Sequence, residues 1–267
     1  MIMRVINSST KYLKLWWLMS RNSFLAVLYS KLSLGIFLTG KILRFTFFIS
    51  FIYFLIKGTN SLAGYTSNQI ILFFLTFNLI DVIAQFLFRE VYRFRPLVVS
   101  GDFDLVLVKP VNPLFRVLMG GADIIDLITI PPLIFAVFYV AKLLSPTFQQ
   151  VTFYLLLILN GLLIATAFHI AVLSLGIITF EIDHMIMIYR DIVNMGRFPI
   201  DIYKEPIRSV ITYLIPVGIM ITLPAKALLG LVSPIGILES FGLGVVMIFL
   251  AIRFWNFAIK KYSSASS

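Results

Sequence analysis

The sequence predicts an all-α polytopic membrane protein, and three observations carry that prediction. Of its 267 residues, 60% are hydrophobic and 13% charged, with a mean hydropathy of +1.00; soluble domains hold nearer half apolar and a quarter charged residues. The apolar residues gather into six runs, and a bilayer crossing needs about 20 such residues. The lysines and arginines punctuate those runs instead of clustering on one soluble surface, so the net charge of +10 points to lipid headgroups and topology, not to nucleic acid. Cysteine is absent, which excludes disulfides, a thiol nucleophile and a thiolate metal site.

The chain opens with a basic amphipathic stretch. Leu13, Trp16, Trp17, Phe24, Val27 and Leu28 recur at helical spacing and interleave with Lys11, Lys14, Arg21 and Lys31. Residues 1–33 therefore read as a helix lying in the headgroup plane, with Trp16 and Trp17 as interfacial anchors. The order of features that marks a signal peptide is not found.

The remainder, 34–267, reads as a single transmembrane domain with spans near 34–56, 69–88, 118–141, 151–180, 207–223 and 235–258. The fourth is over-long and is expected to tilt or project. The fifth is short and contains Pro216. Residues 224–234, apolar but bracketed by prolines, read as a re-entrant segment packed against protein, because irregular backbone is not tolerated in lipid. Lys and Arg number five in 1–31, five in 89–116, four in 190–208 and three in 253–261; alternate loops hold only Lys57, Lys142 and Lys226. That bias puts both termini and the loops 89–117 and 181–206 in the cytoplasm.

The interruption at 89–116, REVYRFRPLVVSGDFDLVLVKPVNPLFR, carries too many local signals for a slack connector. Pro96 disfavours helix at Arg95, so the second span should stop or kink there. Ser100-Gly101-Asp102 is a turn, and Asn112-Pro113 has the cap-then-first-turn pattern of a helix leading into the third span. Arg89, Arg93 and Arg95 can anchor a helix end on anionic lipid. Asp102 and Asp104 gain nothing from such lipid and would gain from a basic protein partner. The stretch is thus an ordered elbow suited to docking.

Catalytic signatures are missing. There is no phosphate-binding loop, His-Glu-x-x-His, Gly-x-Ser-x-Gly or metal-spaced His cluster, so the chain is read as no enzyme. Asp81 lies inside the second span, where its economical role is an ion pair with Lys41 or Arg44 of the first span, and its alternative role is a cation or substrate contact. His169 reads as a helix–helix hydrogen-bonding residue. Asp123 and Asp126 read as a solvated or headgroup-level face. A secondary transporter coupled through Asp81 and His169 is a competing class, but no internal repeat supports it; a lipid-modifying enzyme lacks its catalytic residues.

GDFDLVLVKPVNPLF at 101–115 resembles the signature of the permease subunits of ABC-2 type exporters, and three further stretches agree in order: GRFPIDIY at 196–203, YLIPVGIMITLPAKALLG at 213–230, and RFWNFAIKKYSSASS at the end. Lys109 stands where that family more often has Arg. The resemblance implies a prokaryotic inner-membrane protein whose translocation path is formed with a second permease chain, identical or paralogous. It implies two ABC ATPase subunits, which bind ATP and Mg in place of this chain. It also implies that the N-terminal helix and the elbow contact those ATPases, with Gly101, Asp102, Asp104, Lys109 and Pro110 carrying the coupling.

Overall fold

The computed structural model describes residues 2–59, 61–179 and 181–263. Phe180, the expected end of the fourth span, and the last four residues of the tail lie outside it. The described residues form an all-α bundle. Its elements are α1 Ile2–Tyr29, α2 Lys31–Thr59, α3 Ser67–Phe88, the short α4 Phe94–Val99, α5 Phe103–Leu107 and α6 Pro113–Leu118, then α7 Ile124–Leu144, α8 Phe148–Thr179, α9 Ile182–Asn194, two bent arms α10 Ile207–Leu214 and α11 Gly218–Leu228, and α12 Pro234–Lys261.

Side-chain caps set most of the long helices. Thr66 and Gln69 form a capping box at α3, Thr147 and Gln150 another at α8, Asp123 accepts from the Ile125 N–H at 2.8 Å at α7, and Ser233 accepts from the Gly236 N–H at 3.1 Å at α12. Within α8, Thr166 and Ser174 donate to carbonyls four residues back, so their hydroxyls need no partner from outside the helix.

α3 is the central helix, burying Phe73, Phe74 and Phe77. α8 packs along α12, where Gly244 leaves room for Asn160, whose amide donates to the Ser240 carbonyl at 2.9 Å. α2 stands apart: none of its most apolar stretch is buried in this chain.

Among the described residues, five helices are long and apolar enough to cross a membrane: α2, α3, α7, α8 and α12. The third starts at Ile124, six residues later than expected, because α6 ends at Leu118 and a non-helical stretch containing Gly120 and Gly121 intervenes.

The sixth crossing is not the one expected. The pair α10 and α11, bent by 76°, begins and ends at the same end of the bundle, since Arg208 and Lys226 both bind Asp201. The pair is a re-entrant hairpin that turns at Ile215–Val217 and runs on through Pro224, which stands within α11 where its π-helical turn Gly218–Thr222 gives way to α-helix at Leu223. The crossing is made by 182–199. Asp183 pairs with Arg95, Arg190 reaches Gln85, Arg197 stacks on Phe77, and Asp201 meets Tyr65, a steady progress along α3 from one end to the other. The stretch expected as a loop at 181–206 therefore runs the length of the bundle, and the span expected at 207–223 is the bent pair that returns to the end where it began.

Candidate functional site

The elbow follows from its residues in order. α3 ends at Phe88, and Arg89–Arg93 form a tight 3-10 turn. The break thus comes earlier than the expected stop at Arg95, and Pro96 falls in the first turn of α4, where it needs no donor. Gly101 takes φ +80° and reverses the chain. α5 then lies back on α4, with Phe94, Val98, Phe103 and Val106 buried between them and the bundle. Phe94 and Phe103 meet edge to face at 5.1 Å, and Phe103 meets Tyr262, just beyond α12, at the same separation. Asn112 caps α6 as expected, accepting from the Phe115 N–H at 3.2 Å.

What this hairpin leaves outside is apolar and charged together: Val99, Leu105 and Val108 are exposed, the last at 80%, beside Asp102, Lys109 and Pro110. Ser100 donates to Asp102 at 2.8 Å. Asp104 faces inward, against the Tyr262 hydroxyl, whose pKa rises through burial and through that carboxylate.

α1 lies on the same elbow. The Asn112 N–H donates to the Tyr12 hydroxyl at 3.2 Å, Tyr12 packs on Phe115 at 4.7 Å, Lys11 reaches the Pro110 carbonyl at 3.4 Å, and Arg93 donates to Ser23 at 3.0 Å. Ser20, fully buried, accepts from the Ala122 N–H at 3.2 Å. Trp16 packs edge-on against Phe86 of α3, whereas Trp17 stays 58% exposed. Of the two tryptophans expected as anchors, Trp17 is the one left free to meet a headgroup layer.

The charges near the elbow pair within the chain. Arg89 binds Asp123 at 3.1 Å, Arg116 binds Glu90 at 2.6 Å, Arg95 meets Asp183 at 3.3 Å, and Lys41 binds Asp126. Asp123 and Asp126, expected on a solvated face, are buried, at 5% and 2% exposed. The expected pair of Asp81 with Lys41 or Arg44 does not form, because Asp126 takes Lys41. Asp81 accepts instead from Gln85 at 2.7 Å, and Gln85 in turn accepts from Arg190 at 3.4 Å. His169 hydrogen-bonds at 2.8 Å to the Ala165 carbonyl of its own helix, not across helices, and sits among the rings of Phe88, Tyr92 and Tyr189.

At the end of the bundle opposite the elbow, Asp201 gathers three elements. Tyr65, from the tight turn between α2 and α3, donates to it at 3.0 Å; Arg208 of α10 binds at 2.7 Å and Lys226 of α11 at 2.7 Å. Partial burial pushes the Asp201 carboxyl up, but the bonds to Lys226, Tyr65 and Arg208 outweigh it and hold the pKa below the usual carboxylate range. The intramembrane positions of Arg190 and Arg197, and this whole cluster, were not foreseeable from span counting. The signal that could have found them is the apolar period on 182–193, with Ile182, Ile186, Tyr189 and Val193 on one buried face.

The chain is a polytopic helical bundle with an ordered elbow and a re-entrant hairpin before its last helix, the architecture of a multi-pass membrane protein. Residues 41–266 match the family described as ABC-2 family transporter protein, and the chain belongs to that family. No curated protein and no solved structure matches it.

Proposed function

We propose that this ABC-2 permease is the membrane half of an exporter in a prokaryotic inner membrane. Two permease chains form the path, and two separate ATPases drive it from the elbow side. The supporting observation is that α1 and the elbow are one surface, joined through Tyr12, Asn112 and Phe115. On it Val99, Leu105 and Val108 are exposed between Asp102 and Lys109, and an exposed apolar cluster rimmed by charge suits a protein partner. The basic bias of α1, the elbow and the tail end supports a cytoplasmic setting.

The elements connect to the motion such a role requires. α4 and α5 hang from the end of α3, and Phe103 ties them to the end of α12. A push on the elbow is thereby applied to two spans together. Gly101 supplies the reversal, Asp102 and Lys109 the charged contacts, and Pro110 the exit toward α6, while Asp104 holds α5 against Tyr262. Ion coupling through Asp81 and His169 draws no support from the geometry, since each already has a neighbouring partner.

The test is co-purification. Co-expressed with the ABC ATPases of its own genome, the wild-type permease should retain one of them, and Leu105→Glu with Val108→Glu should lose it while remaining in the membrane. Retention of the ATPase by that double variant would rule out the elbow as the dock.

A further inference from the structure

One part of the bundle is charged where the membrane should be most apolar, and its charge is unbalanced. Arg197 lies level with Phe77, halfway along α3, with its guanidinium 5.7 Å from that ring. Its neighbours in electrostatic reach are Arg44, Asp81 and Arg190, so that with Arg197 itself three bases face one acid. Asp81 is already engaged through Gln85 with Arg190. No ion pair is made by Arg44 or Arg197 among the described residues, and the buried Nε of Arg197 has no hydrogen-bond partner there. The remaining carboxylate of α9, Asp191, is exposed on a different face from Arg190 and is not among the groups that act on Arg197.

Arg44 acts on Arg197 as a like charge, the two segments being brought together where Phe48 of α2 meets Phe198 at 5.5 Å; like charges repel strongly in a medium of low dielectric, and intramembrane charge is costly even when paired. A merely structural role would have supplied each with a carboxylate, as Lys41 and Arg89 have theirs a short distance away. Access is also present. Arg44 is exposed on α2, the helix that buries least against its own chain, and Arg197 is only partly covered. Guanidinium presents a planar fork of N–H donors that suits phosphate or carboxylate oxygens.

We propose that Arg44 and Arg197 receive the phosphate or carboxylate headgroup of an anionic amphiphile, and that this amphiphile is the cargo. The inference rests on the permease reading above and adds the cargo's chemical class. An apolar tail suits a site flanked by lipid and by the rings of Phe48, Phe77 and Phe198, and an anionic head balances the arginines.

The experiment uses the permease with its ATPases in nanodiscs of neutral lipid, with three probes of equal chain length: hexadecyl phosphate, hexadecyl glucoside and hexadecyl trimethylammonium. ATP hydrolysis should rise with the phosphate probe at lower concentration than with the other two. Arg44→Gln or Arg197→Gln should raise the half-maximal phosphate concentration by about tenfold or more, the loss of a charge-assisted hydrogen bond. Arg197→Lys should recover part of that loss. Equal response of the wild-type complex to all three probes overturns the proposal without needing any variant to fold. In proteoliposomes, ATP should move a fluorescent phosphate amphiphile across the bilayer; binding without movement makes the site a fixed-lipid site and overturns the cargo assignment. Restoration of Arg44→Asp by Asp191→Arg would assign the arginine to a pair between two permease chains, and also overturns it. If no ATPase associates at all, it is the permease reading that fails.

Discussion

Phe103 and Tyr262 meet ring edge to ring face, 5.1 Å apart, although 159 positions separate them in the chain. That contact joins the elbow to the end of the last helix. Phe103→Ala should cost about 3–5 kcal/mol, the usual range for emptying a buried aromatic position. In the assembled complex, ATP hydrolysis should persist while transport falls. Thermal unfolding in detergent and a transport assay run side by side would check this; transport unchanged beside a lowered melting temperature would give the contact a purely structural role.

Breaking the Lys41–Asp126 pair should be expensive in one direction only. Asp126→Leu leaves an ammonium without its partner, and loss of one member of a buried pair costs about 3–5 kcal/mol. Asp126→Leu combined with Lys41→Met removes both charges and should recover most of that loss. The melting temperatures of the two variants give the answer directly.

Asp201 should make the re-entrant hairpin sensitive to acid. Its pKa is held below the unfolded value of about 3.9. The stabilisation is therefore fully present above that value and is lost as pH falls through the lower folded one. Hydrogen exchange across 207–228 should be slow near neutrality and faster in strong acid. Asp201→Asn should exchange fast at every pH, so that the two proteins converge only at the acid end. A variant protected like wild type near neutrality would show that the hairpin is held elsewhere.

Gly161 sets how closely α11 approaches α8. A Cβ there would stand 2.5 Å from the Met220 carbonyl oxygen, which is backbone and cannot swing aside. Gly161→Ala should destabilise by about 1–3 kcal/mol, whereas Ala at Gly242, which has open space around it, should change the melting temperature little.

Much of this architecture was legible in the residues, and the failures share a cause. The five apolar spans α2, α3, α7, α8 and α12 satisfy length and composition almost unaided, and Gly101 and Asn112 announce their backbone roles. The remaining crossing does not, because α9 carries Asp183, Arg190 and Asp191 and is shorter than a span. The hairpin after it is more apolar and so imitates a span. Lys204 and Arg208 were then counted with the wrong end. The elbow's reversal could be read from Ser100-Gly101-Asp102, but the inward turn of Asp104 depended on Tyr262, far along the chain. The pairing of Lys41 with Asp126 and not Asp81 depended on which spans touch, and span order does not specify that.

The distance between Lys41 and Asp126 along the chain, 85 residues, also sets a schedule. At roughly 5–20 residues per second, the first span would emerge about 4–17 s before the carboxylate that neutralises its lysine. During that interval α2 has little of its own chain to lean on. The insertion machinery, or the headgroup layer reached by an extended lysine side chain, must hold it in place until the third span arrives. The order of synthesis thus leaves the first membrane helix unsecured until the third has been made.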